Sequence, residues 1–399
     1  MNTNRKKPLV YVVPDIERAL GREPGGDYFV ITNRTPYAES VAKKYPDAIW
    51  LVDGDSSLDT YGLLSRPEVI ENIKKYDTEV IVFKNTLRIE RLATEHGVRL
   101  LNPSAVLGRT VEEKISQVKW LGPLASLLPP HHIIEMKNVV CDGKKIVLQW
   151  NHAHTGEGTS VVSRDEELSL LKTKFPDRKC RVTDFVDGFM FTVNAVVAGD
   201  RTLVGNVSFQ ITGLAPFADL PYSTVGNDWA LPYKILKKAQ GAEIERIAGA
   251  VGERLREAGW RGLFGIDVIC ETKTGKIYLI EINARQPAST TLESQLQKKA
   301  GAGLTVFDTH IRALRGEKIV GTLQEIRDGA QIVQRVTKTR DKKTLRVDVD
   351  KLEGAGFGVI RYENDEPNSD LVRITSSTGI MDSPTTLNTQ GYRISSSLS

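Results

Sequence analysis

The segment Gly265–Arg285 constrains this chain more than any other. Two apolar-rich runs, Ile266–Glu271 and Lys276–Asn283, flank a turn at Lys273-Thr274-Gly275. Such a pattern closes as an antiparallel hairpin and brings Asp267 close to Glu281. Glu281, Asn283 and Arg285 are spaced by two, so along a strand they share one face, and Ile280, Ile282 and Ala284 take the other. Two carboxylates and a carboxamide on one surface form an all-oxygen set. Mg²⁺ favours such ligands, completed by water and phosphate oxygens. Arg285 beside them offers a cation to a phosphate or a developing anion. An ordinary exposed strand face would mix Thr, Lys and Ser, and Asn is a poor strand former.

Upstream, residues 9–105 alternate between two patterns. Leu9–Val13, Tyr28–Ile31, Ala48–Val52 and Glu79–Phe83 are short apolar runs. Pro67–Tyr76 and Leu87–His96 read as helices between them. Continuous apolar strands with helical crossovers mean a parallel sheet covered on both faces. Pro14-Asp15 follows the first strand where a dinucleotide site would need a glycine-rich turn. The unit is therefore Rossmann-like without the GxGxxG fingerprint, which leaves hydride transfer unsupported.

Four units follow from the pattern: 1–105, 106–190, 191–330 and 331–399. In the second, a helix is expected over Val111–Leu121, ended before Pro129-Pro130. Strand Lys145–Trp150, a small polar stretch Asn151–Ser160, helix Arg164–Phe175 and strand Arg181–Phe185 come next, with a turn at Asp187-Gly188. The third unit carries strand Phe191–Ala198, a hairpin at Asp200 and a long helix Glu243–Ala258 capped by Gly259. Gln210–Phe217 and Gly226–Trp229 lack a regular period and are read as loops beside the acceptor of a reaction. The Ser-, Thr- and Gly-rich tail, 331–399, is expected to be a small β-rich closing element whose last dozen residues lack order.

Composition narrows the function. With 399 residues, more than one core is required. The near balance of 54 basic and 50 acidic residues argues against a dedicated nucleic-acid surface. Cys141, Cys180 and Cys270 are far apart and form no CxxC pair, so they read as buried small hydrophobes in a reducing, cytoplasmic setting. The apolar run Leu9–Val13 is too short for a signal peptide or a membrane span.

The pattern Asp267…Glu281-x-Asn283-x-Arg285 resembles the metal-binding strands of the ATP-grasp superfamily, to which biotin carboxylase, carbamoyl-phosphate synthetase and D-alanine–D-alanine ligase belong. The order of elements extends the likeness over roughly residues 1–310. It implies a mixed α/β and α+β fold: a Rossmann-like first domain, then a two-lobed ATP-grasp unit with the small lobe at 106–190 and the large lobe at 191–330. It implies that Asp267, Glu281 and Asn283 hold Mg²⁺ (Mn²⁺ as a substitute), and that Arg285 and Lys114 act as catalytic cations, Lys114 also contacting nucleotide phosphates. The stretch Thr155–Ser160 resembles the family's glycine-rich lid. There Gly156 and Gly158 let backbone N–H groups approach an anion, and Thr159 and Ser160 add hydroxyls. His152 and His154, with no third ligand nearby, read as polar loop residues. Arg181–Phe191 resembles the hinge that holds adenine, through the Thr183 carbonyl, the Val186 amide and the Phe185 ring.

Two positions depart from the pattern. Gln149 stands where many relatives carry Lys; it can hydrogen-bond a phosphate but brings no charge. Met190 stands where many carry a Glu for the ribose hydroxyls. The function implied is an ATP-dependent carboxylate–amine ligase acting through an acyl phosphate, on small molecules such as amino acids or peptides, with a homodimer possible. The alternatives are a bicarbonate-phosphorylating, carboxylase-like enzyme, for which no Met-Lys-Met biotin-carrier signature is present, and a non-catalytic nucleotide-binding relative, motivated by Gln149 and Met190.

Overall fold

The computed structural model describes residues 6–151 and 159–399. Strands β1 (Leu9–Val12), β2 (Tyr28–Asn33), β3 (Ile49–Val52), β4 (Glu79–Val82) and β5 (Arg99–Leu100) form a parallel sheet in the order β3-β2-β1-β4-β5. Both faces are apolar, as a parallel sheet requires. Leu9, Tyr11, Tyr28, Val30 and Ile81 pack on one side with Phe307 and Ile311; Val10, Val12, Val80 and Val82 pack on the other with Leu63, Val69 and Leu92. The strand order reverses between β1 and β4, so their C-terminal ends open a crevice, the usual place for a ligand in such sheets. Phe307 comes from helix Val306–Leu314, far along the chain, and stacks on Tyr11. The first unit thus shares its core with a later segment.

Strands β6 (His131–Glu135), β7 (Ile146–Gln149), β8 (Thr159–Val162) and β9 (Lys179–Asp184) make an antiparallel sheet in the order β6-β9-β7-β8. Alternation splits its side chains. Leu148, Val162, Cys180 and Val182 pack together with Leu168 of helix Asp165–Lys174. Val147, Gln149, Thr159, Val161, Arg181 and Thr183 take the opposite face.

The third sheet has eight strands in the order β14-β13-β10-β11-β12-β15-β17-β16. These are β10 (Gly188–Val197), β11 (Thr202–Thr212), β12 (Thr224–Asp228), β13 (Gly262–Glu271), β14 (Ile277–Asn283), β15 (Ala330–Arg335), β16 (Gly358–Arg361) and β17 (Asp370–Ser376). Its apolar face, with Phe191, Val193, Phe209 and Val268, packs on Ile244, Ile247, Val251 and Leu255 of helix Lys238–Glu257. Its other face is polar, with Thr192, Ser208, Asn227, Asp267 and Gln331 all buried.

Several expectations are corrected here. The tail is no separate closing element, because β15, β16 and β17 continue the large sheet. The helices Val349–Gly354 and Thr389–Ser396 and the ribbon β18 (Met381–Ser383) with β19 (Thr386–Leu387) stand outside it. The last dozen residues are ordered, since Ile394 and Leu398 are buried in the main core. Gly226–Asp228 is no loop but the strand β12, where a Cβ on Gly226 would lie 2.1 Å from the Gln331 carbonyl oxygen. The expected helix Val111–Leu121 is two helices, Ala105–Glu112 and Lys114–Leu121. Glu113 between them is extended, and Asn151 Oδ1 accepts the freed Ile115 N–H at 2.7 Å. The three cysteines are buried and unpaired. Among the described residues no helix is long and apolar enough to cross a membrane.

Candidate functional site

The faces just described enclose a cavity of about 1210 Å³, reaching from β7–β9 across the polar face of the large sheet to the end of β4. At its floor, β13 and β14 pair with Asp267 opposite Glu281 and Gly265 opposite Asn283. Asp267 is buried. Its Oδ1 accepts from Thr192 Oγ1 at 2.7 Å and its Oδ2 from Asn283 Nδ2 at 3.1 Å. Burial, reinforced by the negative charge of Glu281, pushes the Asp267 carboxyl up to about 6, against the pull of both hydrogen bonds and Lys114. Burial also works upward on Glu281, but Lys114 Nζ, 2.8 Å from its Oε1, holds that carboxyl below its usual range.

A β-bulge after Asp267 changes the alternation, because Asp267 pairs with Glu281 while Val268 pairs with Leu279. Ile280 is the extra residue and lines the cavity beside Glu281, although simple alternation puts it on the opposite face. Ile282 does face the core. Ala284 belongs to the core and touches the cavity rim.

Cations ring the floor. Lys114 opens helix Lys114–Leu121, placed there by the break at Glu113. Arg285 Nη1 donates to Glu112 Oε1 at 2.7 Å, and Lys84 Nζ to the other oxygen of the same carboxylate at 2.6 Å. Burial disfavours the Arg285 charge, but Glu112 and Glu281 outweigh it and raise its proton affinity. Arg181 lies directly across from Gln149, and its Nε and Nη2 donate to Gln149 Oε1 at 3.0 and 2.7 Å.

The other end is apolar. Val147, Val161, Phe185, Val186, Met190, Tyr222, Ile269 and Ile280 line it. Lys145 Nζ lies 3.6 Å from the Phe185 ring centre, and Tyr222 meets that ring edge-on. The backbone differs from expectation by one residue. Asp184 N donates to Pro130 O on one side of β9 and Phe185 N to Lys145 O on the other. Successive residues alternate direction, so the Thr183 carbonyl points into the ladder with Val147. Pro130 has no N–H to return to Asp184, so the Asp184 carbonyl lies on the open edge of the strand. Gly188 follows because a Cβ there would lie 2.1 Å from the Cys270 carbonyl oxygen.

Of the stretch read as a lid, Thr159 lines the cavity, whereas Ser160, paired with Leu148, is on the other face of β8 by strand alternation. His152, His154, Gly156 and Gly158 lie outside the described residues. Among the described residues no three of His, Cys, Asp and Glu gather as a metal site. The oxygen set is two carboxylates and one amide.

Residues 111–289 match a family model described as an ATP-grasp domain. The chain carries an ATP-grasp domain. The N5-carboxyaminoimidazole synthase of Aspergillus clavatus, solved with ADP and 5-aminoimidazole ribonucleotide, is similar over 93% of this chain and 94% of its own, with TM-score 0.64 and 16% identity. The N5-carboxyaminoimidazole ribonucleotide synthetase of Thermotoga maritima is similar over 98% and 99%, at 0.63 and 15%. The biotin carboxylase of Campylobacter jejuni, solved as a β-γ-ATP complex, is similar over 94% and 88%, at 0.64 and 12%. These likenesses extend the shared fold beyond the ATP-grasp domain to nearly the whole chain. A search of curated proteins returned no match.

Sequence reasoning missed Lys84, Glu112, Arg181 and Thr192. Thr192 was legible as a polar residue in an apolar strand. Lys84 follows β4 at the point where the sheet order reverses, so the topology could have pointed to it.

Proposed function

We propose that this chain is an ATP-dependent ligase that activates a carboxylate as an acyl phosphate and joins it to an amine. The observation that carries the reading is Asp267 opposite Glu281 beneath Lys114, inside a cavity with an apolar end large enough for a base. Asp267, Glu281 and Asn283 would hold Mg²⁺, or Mn²⁺ in its place. Their hard oxygen donors fit such an ion and leave positions for phosphate oxygens and water. When bound, the ion supplies charge neutralisation at the triphosphate.

In this proposal the adenine ring lies against Phe185, with its polar edge on the Asp184 carbonyl and the Val186 amide. Lys114 and Arg285 face the transferring phosphoryl group, where positioned cations stabilise developing charge. Thr159, at the end of the stretch that resembles a glycine-rich lid, faces the phosphates. A carboxylate oxygen attacks the γ-phosphorus and the bond to ADP breaks. The amine nitrogen then attacks the acyl carbon, phosphate leaves, and the nitrogen loses a proton. Amino acids or peptides are the proposed substrates, in the cytoplasm. The names of the structural neighbours, a carboxyaminoimidazole synthase and a biotin carboxylase, favour bicarbonate as the second candidate for the activated carboxylate.

The test is ADP release over paired carboxylates and amines, with bicarbonate as a separate arm. Asp267→Ala and Glu281→Ala are each expected to abolish release while the circular dichroism of the fold persists. Turnover surviving either change at ordinary Mg²⁺ would refute the assignment.

A further inference from the structure

Arg181 is almost fully buried, with 1% of its surface exposed, yet it lines the cavity. Its hydrogen-bond partners are neutral. Nε and Nη2 share Gln149 Oε1, and Nη1 donates to Gln117 Oε1 at 3.1 Å. Gln117 is itself fixed by its own amide on the Val111 carbonyl, and Gln149 Nε2 reaches Thr159 Oγ1. A guanidinium has five N–H groups, so two remain without an acceptor among the described residues. The other cations at the cavity floor have carboxylate partners: Lys114 has Glu281, and both Lys84 and Arg285 have Glu112. Glu281 acts on Arg181 through space without a hydrogen bond to it, and a buried charge whose direct contacts are all dipoles is unfavourable unless an anion completes it.

We infer that Arg181 is the cation that contacts the nucleotide phosphates from the small sheet, and that Gln149 is its positioning residue. The inference rests on the nucleotide-binding reading above and deepens it. Gln149 and Arg181 are direct cross-strand partners on one face of β7 and β9. A positive charge at either position reaches the same part of the cavity. The charge that Gln149 lacks is therefore supplied one strand over, with the Gln149 carbonyl oxygen orienting the fork. Burial lowers the Arg181 proton affinity to about 10, still far above neutrality, so the side chain stays charged. The ligand class is a nucleoside di- or triphosphate, since adenosine alone offers Arg181 no anion.

The test compares ADP and adenosine affinities by calorimetry for wild type, Arg181→Gln, Arg181→Lys and the exchange Gln149→Lys/Arg181→Gln. Loss of one charge-assisted contact predicts that Arg181→Gln binds ADP roughly ten- to a hundred-fold more weakly. Adenosine affinity is expected to hold, and both lysine-bearing variants are expected to recover most of the loss. Equal ADP affinity in Arg181→Gln and wild type would overturn the inference alone. Equal losses for ADP and adenosine in every Arg181 variant, Arg181→Lys included, would make the residue merely structural. Wild type failing to bind ADP would overturn the nucleotide reading, and the inference with it.

Discussion

Replacing Glu293 by Gln should change how stability depends on pH. Glu293 lies on helix Thr290–Ala300 and is fully buried. Its Oε1 accepts from Asn206 N at 2.8 Å and Asn206 Nδ2 at 3.0 Å, and its Oε2 from Asn194 Nδ2 at 2.6 Å. Burial outweighs these bonds and pushes the carboxyl from 4.5 up to about 7. The folded protein therefore binds this proton more tightly than the unfolded chain. Between about pH 4.5 and 7 the unfolded chain gains charge freely while the folded one resists, so stability falls as pH rises. A span of about 2.5 pH units, at about 1.4 kcal/mol each, amounts to roughly 3 kcal/mol. Gln carries no such penalty and keeps the acceptor facing Asn206. Its amide N–H can face Asn194 if that amide rotates, which the Ser289 hydroxyl permits because it both gives to and receives from Asn194. In thermal melts, the gap between Glu293→Gln and wild type should widen in favour of the variant from pH 5 to pH 8, by on the order of 5 °C. A gap of the same size at both pH values would refute the reasoning.

Two further outcomes are expected. Gly188→Ala places a Cβ against the Cys270 carbonyl, which is rigid backbone, and should destabilise by about 1–3 kcal/mol while weakening ADP binding at the adjoining hinge; unchanged melting and affinity would refute this. Deleting residues 389–399 removes buried Ile394 and Leu398 and should lower stability by on the order of 3 kcal/mol in chemical unfolding. A full-stability truncation would mean those contacts contribute nothing.

The fold was legible wherever one element carried its own signal. The parallel strands of the first unit are apolar on both faces, and the hairpin β13–β14 is marked by its turn. What escaped was information held between distant segments. Alone, the tail reads as Ser-, Thr- and Gly-rich, but its strands β15 and β17 are apolar enough to join a sheet that begins in chain order at Gly188. Gly226 reads as a loop marker, yet its lack of a side chain serves the close approach of β15. Glycine has two meanings, a turn or a near backbone, and only the neighbour decides.

The site divides the same way. Glu281 and Asn283 share a face because spacing by two is a property of one strand, and the hairpin turn brings Asp267 opposite Glu281. Arg181 was not, because its meaning lies in its pairing with Gln149, and the bulge that turns Ile280 into the cavity is likewise a property of the pair. The buried polar face of the large sheet is the extreme case. Each of Ser208, Gln331 and Arg373 looks like a lone polar residue in its strand, and Asn227 sits in a stretch that reads as a loop. In the structure Asn227 donates to Ser208, Gln331 to Asn227 and Arg373 to Gln331, and Arg373 and Glu17 meet at the Tyr362 hydroxyl. Singly buried, each group would cost stability; linked, each satisfies the next. Ser208 in turn donates to the carbonyl of Thr192, whose hydroxyl holds Asp267. The floor carboxylate and the buried Glu17 after β1 are thus the two ends of one hydrogen-bonded row. That row explains why an interior face can stay polar where a reactive cavity needs it.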